Sequence, residues 1–252
     1  MAKKLSNISN FIDSSSDSFK LFLKESLDID IYKILLLISE KTDFQIFSGV
    51  IRNFFLDKKG IRDLDIVLNN EINLESIFPR KIIYKNSFGG YKIKKDKLDI
   101  DLWYVKNTWA YNYQKTMDFD LASNLPATAF FNFSSISYSF NKEKFFYTKD
   151  FLRFLRDKEI NVVHKPNSNL ALCVVNSLYY SEKYKLKISK ELFEYLVYLD
   201  SKQNISYFNV QIKHFKKVLF SDEEIKEFLR KSKNEMPSMY IKNSGISTKK
   251  QV

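Results

Sequence analysis

Cysteine is almost absent. Cys173 is the single one among 252 residues, so no disulfide framework can form within the chain. It lies in the apolar run Leu170–Val175, which suits a core residue better than a nucleophile. Only two histidines occur, His164 and His214. Neither has a partner at metal-ligand spacing, which argues against a histidine-built metal centre. Five glycines and four prolines give each of those residues more positional meaning than usual. No apolar run reaches the ~18–20 residues of a membrane span, and the strongest, Ile31–Ile38, is far shorter. The opening MAKKLSNIS lacks the apolar core of a secretion signal. A reduced, cytoplasmic protein without a membrane partner is expected. Acids are in deficit, 30 against 41 Lys plus Arg, giving a net charge of +11.

What is present is apolar enough to fold. The chain is 44% hydrophobic and 16% aromatic, beyond what general disorder tolerates. The basic balance suits a polyanionic partner such as nucleic acid or a nucleotide, and equally a lysine-rich solvated surface.

Residues 1–15 read as loose and polar. Helices are expected over Asp17–Leu27 and Asp30–Lys41, and a brief one over 72–78. Strands are expected over Lys81–Lys85 and Tyr91–Lys94, around a turn at 86–90. Asn107–Gln114 reads as helical and Phe130–Phe140 as an aromatic, β-leaning stretch. From about residue 150 helical periods dominate: 150–157, 168–184, 189–200, 206–219 and 222–232. Ser221 and Glu224 form a capping box at the start of the last. The basic tail from 235 reads as disordered. The outline is α+β: an N-terminal helical extension (1–28), a head with a small mixed sheet flanked by helices (29–160), an all-helical neck and body (161–234) and the tail (235–252).

Residues 44–67 organise the head. Phe44–Phe47 is a short strand, Ser48-Gly49 a turn, and Val50–Asp57 a helix with Ile51, Phe54 and Phe55 at helical spacing. Gly60 ends that unit, and Leu64–Leu68 is a second strand. Side chains two apart on a strand share a face, so Asp63 and Asp65 project together. Paired carboxylates repel unless a cation sits between them, and Mg²⁺ takes oxygen ligands. Lys97–Val105 alternates strictly, with Leu98, Ile100 and Leu102 on one face and Asp99, Asp101 and Trp103 on the other. A turn at a helix entrance offers backbone N–H groups to a phosphate. Together these parts suit two-metal phosphoryl chemistry.

The run Ser48-Gly49-Val50-Ile51-Arg52-Asn53-Phe54-Phe55-Leu56, followed by Asp63-Leu64-Asp65, resembles the head motif of the polymerase-beta nucleotidyltransferase superfamily. It is most similar to the branch of bacterial tRNA CCA-adding enzymes and poly(A) polymerases. That branch has Gly-Gly-x-Val-Arg-Asp, three apolar residues, a loop and Asp-x-Asp. Here Ser48 stands for the first glycine and Asn53 for the aspartate. Phe131–Tyr138 more loosely resembles the branch's Phe-Thr-Ile-Asn-Ala-x-x-Tyr. The base-reading Glu-Asp-x-x-Arg is replaced by Asn167-Ser168-Asn169-Leu170-Ala171-Leu172, which leaves base choice open and argues against CCA addition.

The resemblance implies a nucleotidyltransferase head fold and transfer of a nucleoside monophosphate from an NTP, with two Mg²⁺ ions (Mn²⁺ as an alternative). Asp63 and Asp65 would bind metal. Asp101 would be the third carboxylate, with Asp99 as its competitor for that role. Ser48, Gly49, Arg52 and Asn53 would bind the nucleotide. RNA is the expected acceptor, a tRNA 3′ end among the candidates. A small-molecule or protein acceptor, and a toxin or phage-defence role, stay open. So does a degenerate head that binds nucleotide or RNA without chemistry.

Overall fold

The computed structural model describes residues 4–58, 60–61, 63–78, 83–85, 90–95, 98–108, 121–167, 169–202 and 206–231. Two compact units divide at Arg156/Asp157. The 235–252 tail, Gly89 and most of the 107–114 stretch lie outside the described residues.

In the first unit, helices α1 (Leu5–Asp13), α2 (Ser16–Ser26) and α3 (Ile29–Ser39) precede strand β1 (Phe44–Phe47). The helical state of Leu5–Asp13 corrects the expectation of a loose start. Its Ile8 and Ile12, four apart on one face, are buried, and that burial outweighs the Ser/Asn-rich composition. Helix α4 (Gly49–Phe55) and strand β2 (Asp63–Leu68) follow, then α5 (Leu74–Ile77), capped by the Asn73 side chain. Strands β3 (Ile83–Lys85), β4 (Tyr91–Lys95) and β5 (Leu98–Tyr104) come next. A short α6 (Leu121–Asn124) leads through 3₁₀ turns at Leu125–Thr128 and Asn132–Ser134 to β6 (Ile136–Ser139) and β7 (Lys144–Tyr147). The Phe130–Phe140 stretch is thus part turn, part strand. Helix α7 (Lys149–Asp157) reaches the division between the units.

The seven strands form one mixed sheet in the order β3-β4-β5-β2-β1-β6-β7. Among the described residues of this sheet, β2 and β5 pair in parallel and the other neighbours pair antiparallel. Alternation sorts the central strands cleanly. Ile46, Leu64, Ile66, Ile100, Leu102 and Ile136 point to one face and are fully buried. Phe19 of α2 anchors that side, with ring centroids 4.9 Å from Tyr138, 5.2 Å from Phe145 and 5.2 Å from Phe54. A fully buried phenylalanine contributes roughly 1.5–3 kcal/mol of transfer free energy.

The second unit has strands β8 (Glu159–Ile160) and β9 (Lys187–Ile188), paired in parallel, and helices α8 (Leu170–Tyr184), α9 (Lys190–Lys202), α10 (Tyr207–Phe215) and α11 (Asp222–Lys231). Helix α8 is capped by the Asn169 side chain and closed by Lys185 in the left-handed conformation. The Ser221/Glu224 box forms in both directions, Ser221 N–H to Glu224 Oε2 at 2.7 Å and Glu224 N–H to Ser221 Oγ at 3.1 Å. Cys173 is buried, and burial pushes its thiol up to about 12, as befits a core residue. Gln211, wholly buried in α10, donates to the carbonyls of Tyr207 and Phe220 and accepts from the amides of Leu219 and Phe220.

Candidate active site

The second face of the sheet carries the acids. Parallel pairing of β2 with β5 sets Asp63 opposite Asp99 and Asp65 opposite Asp101. Strand β1 places Phe47 opposite Asp65 on the other flank. Four carboxylates therefore share one face of two adjacent strands. Beyond them the same face is closed by Val67, Val105 and Leu125, with Phe47 packed against the group. This apolar cap ends where Asp65 begins and leaves all four aspartates only partly buried.

The crowding shows in the protonation equilibria. Burial pushes the Asp65 carboxyl up to about 7, helped by the charges of Asp101 and Asp63 and opposed by Arg52 and Lys92. Burial also raises Asp101, against the pull of Lys92. Asp65 is thus coupled to Asp101 and Asp63 through the register just described.

Lys92 enters from β4, which pairs with β5 so that Lys92 faces Asp101 and Lys94 faces Asp99. Its Nζ lies 3.3 Å from Asp99 Oδ2 and 3.3 Å from Asp101 Oδ2. The ammonium is partly desolvated, yet Asp101 and Asp99 hold it above its ordinary value. Sequence reasoning missed this residue. The alternation of Tyr91–Lys95 carried the signal, since antiparallel pairing with the acidic strand places its lysines over the aspartates. Among the described residues, no three His, Cys, Asp or Glu side chains are drawn together as a ready metal cage. With Lys92 between them, Asp99 and Asp101 are turned to an ammonium instead.

The turn after β1 stands at the same end of the sheet. Ser48 has φ +60° and ψ −99°, a region where L side chains are strained. The glycine of the resembled motif would meet no such penalty there. The Ser48 amide donates to Ile136 O at 3.2 Å, so it is committed to β6. This narrows the expected amide cradle to Gly49 onward. A Cβ on Gly49 would come no closer than 3.8 Å to Arg52 Nη2, so space alone does not demand glycine. One turn into α4, Arg52 is 7% exposed, and its guanidinium lies 5.2 Å from the centroid of the Phe133 ring. Its Nε and Nη2 donate to Asn53 Oδ1 at 3.4 and 3.3 Å. Phe133 is buried, in keeping with a core role.

Ser48, Gly49, Asp63, Asp65, Asp99 and Asp101 are therefore collected at one end of one sheet face, with Arg52 and Asn53 on the helix behind the turn.

Solved structures share this architecture. A tRNA-processing enzyme with CTP matches at TM-score 0.55 and 22% identity, over 77% of this chain and 54% of its own. A tRNA nucleotidyltransferase complexed with a primer tRNA and an incoming ATP analogue matches at TM-score 0.55 and 20% identity, over 79% and 60%. This chain has their fold. A CCA-adding enzyme in an apo form matches at TM-score 0.57 and 16% identity, over 84% and 52%. The chain spans 52–60% of the length of these three proteins. No family model matches it, and no curated protein sequence does. The mixed sheet and flanking helices expected for a nucleotidyltransferase head are thus present.

In the second unit, α10 and the turn after it expose Lys213, Lys216 and Lys217 beside Phe208 and Ile212, which lie four apart on one helical face. Tyr179 packs on Phe215 with centroids 5.1 Å apart, and Tyr180 stacks on Tyr184 at 6.0 Å. Among the described residues no helix is long and apolar enough to cross a membrane.

Proposed function

We propose that the chain is a nucleotidyltransferase that moves a nucleoside monophosphate from an NTP to a hydroxyl of an RNA acceptor. The observation that carries this reading is the cross-strand set Asp63, Asp65 and Asp101, at the end of the sheet where Ser48-Gly49 turns into α4, in a fold shared with tRNA nucleotidyltransferases. An acceptor oxygen attacks the α-phosphorus. The bond to the bridging oxygen breaks and pyrophosphate leaves.

The donor set fits a divalent cation. It is all oxygen, the chemistry Mg²⁺ or Mn²⁺ takes, and the raised Asp65 carboxyl marks a local excess of negative charge. Asp63, Asp65 and Asp101 would hold the metal. When bound, it supplies a lowered pKa for the attacking hydroxyl and charge neutralisation for the leaving pyrophosphate. Ser48's hydroxyl and Gly49's amide hold the triphosphate, and Arg52, fixed by Phe133 and Asn53, orients that end of the site. The basic, aromatic surface of α10 and the net charge of +11 support RNA as acceptor. Structural relatives with CTP, with an ATP analogue and with a primer tRNA support the same substrate classes. Substrates of these classes suit the cytoplasmic setting expected from the sequence.

The test is incubation with each α-labelled NTP, Mg²⁺ and total RNA, beside Asp63→Ala/Asp65→Ala. Label should pass to RNA with the wild type and fall by at least ~10³-fold in the double variant. Label in neither RNA nor any other acceptor would refute the transferase reading. Transfer undiminished in the double variant would refute the site.

A further inference from the structure

Resting on the metal-site reading above, we propose that Lys92 is a built-in competitor for the divalent cation. It holds Asp101 until metal arrives, then withdraws onto Asp99.

The geometry argues for each half of this exchange. Lys92 Nζ touches both acids of β5 at the same 3.3 Å, so one ammonium bridges two carboxylates that would otherwise repel. The two acids are not equivalent. Asp101 lies directly across from Asp65 in the parallel register, whereas Asp99 lies across from Asp63 at the start of the strand. Asp101 is also the more enclosed, at 21% exposed against 35% for Asp99. A cation bound by Asp63 and Asp65 therefore finds Asp101 as its natural third ligand. It can recruit Asp101 only by breaking the contact to Lys92. Asp99 gives the displaced ammonium a place to go without leaving the sheet, because the two carboxylates sit one pleat apart. This assigns different roles to two aspartates that spacing alone treats alike: Asp101 to the metal, Asp99 to Lys92. Lys92 acts through Asp101 and is a positioning residue. With the ammonium gone, the unloaded face would be more acidic and would bind stray divalent cations more firmly.

Mn²⁺ binding to the full chain, followed by electron paramagnetic resonance and calorimetry without nucleotide, tests this. Lys92→Met should lower the Mn²⁺ Kd about tenfold, the size expected for removing a partly solvated competing charge. Lys92→Gln should do the same, should the methionine variant fold poorly by circular dichroism. Lys94→Met removes an equal charge two residues along β4 and should change Kd less than about twofold, since exposed charges are screened. In an Asp101→Asn background the gain from Lys92→Met should vanish. Kd in Lys92→Met equal to wild type, or no lower than in Lys94→Met, would overturn the proposal, as would a gain that persists without Asp101. In either case the metal site still stands if the wild type binds Mn²⁺ and Asp63→Asn/Asp65→Asn does not. Absence of Mn²⁺ binding in both the wild type and Lys92→Met would overturn the metal-site reading and this proposal together.

Discussion

Asp65 sits between two other carboxylates and is partly screened from water, so in the metal-free protein its charge opposes folding. The sign follows from linkage. Between the ordinary carboxylate value of ~3.9 and about 7, the folded chain keeps a proton that the unfolded chain has released. That contribution to stability is complete below ~3.9 and is lost as pH rises through about 7. In chelator, Asp65→Asn should therefore be more stable than wild type at pH 8, by ~1–2 kcal/mol once solvent screening and coupling to Asp101 are discounted. The difference should shrink toward pH 4. Urea titrations at several pH values read it directly, and an unchanged or widening gap at low pH would contradict the assignment. The place of Ser48 in the motif could be read from the sequence. Its φ of +60° could not, because nothing in Phe-Ser-Gly-Val compels the serine, rather than the glycine, to take the strained conformation.

At the level of elements, the alternating strands and helical periods were readable because burial is one-sided. Ile100 and Leu102 against Asp99 and Asp101 leave a period of two with no rival interpretation. Which strand lies beside which was not readable. Pairing of β2 with β5 depends on a crossover through β3 and β4, and only that pairing makes four separated aspartates into one cluster. The same pairing logic hid Lys92. Helix α1 was missed because two buried isoleucines decide its fate more than its Ser/Asn composition does. In the second unit, the junction after α10 is held by one side chain. The Gln211 amide has two donors and two acceptor sites, and four backbone groups fill them. Gln211→Leu would keep the volume and remove the partner of the Leu219 and Phe220 amides and the Phe220 carbonyl. A loss of about 3 kcal/mol or more is expected by chemical denaturation. A change under about 1 kcal/mol would show that the bonds are readily replaced by water.

For the molecule as a whole, the balance of 41 basic against 30 acidic residues matters more for the partner than for the fold. If the acceptor is RNA, affinity for it should fall steeply with salt, by about tenfold or more between 50 and 200 mM, as counterions released from phosphates are taken back. Filter binding across a salt series measures the slope. A flat response would point to a small or uncharged acceptor. Overall charge was legible from composition, and the proposed reaction class rests on one motif. The acceptor was not, because the part of the chain that would choose it carries helical periodicity and little else. One architectural detail has a kinetic meaning. Strand β1 lies between β2 and β6, so the β6–β7 flank joins the sheet only when residues 44–47 meet 136–139. Contacts so distant along the chain are slow to form, because loop entropy is lost before any pairing compensates it. During synthesis, then, five of the seven strands and all four aspartates have emerged before β6 and β7, and the flank of the sheet beyond β1 is the last to be completed.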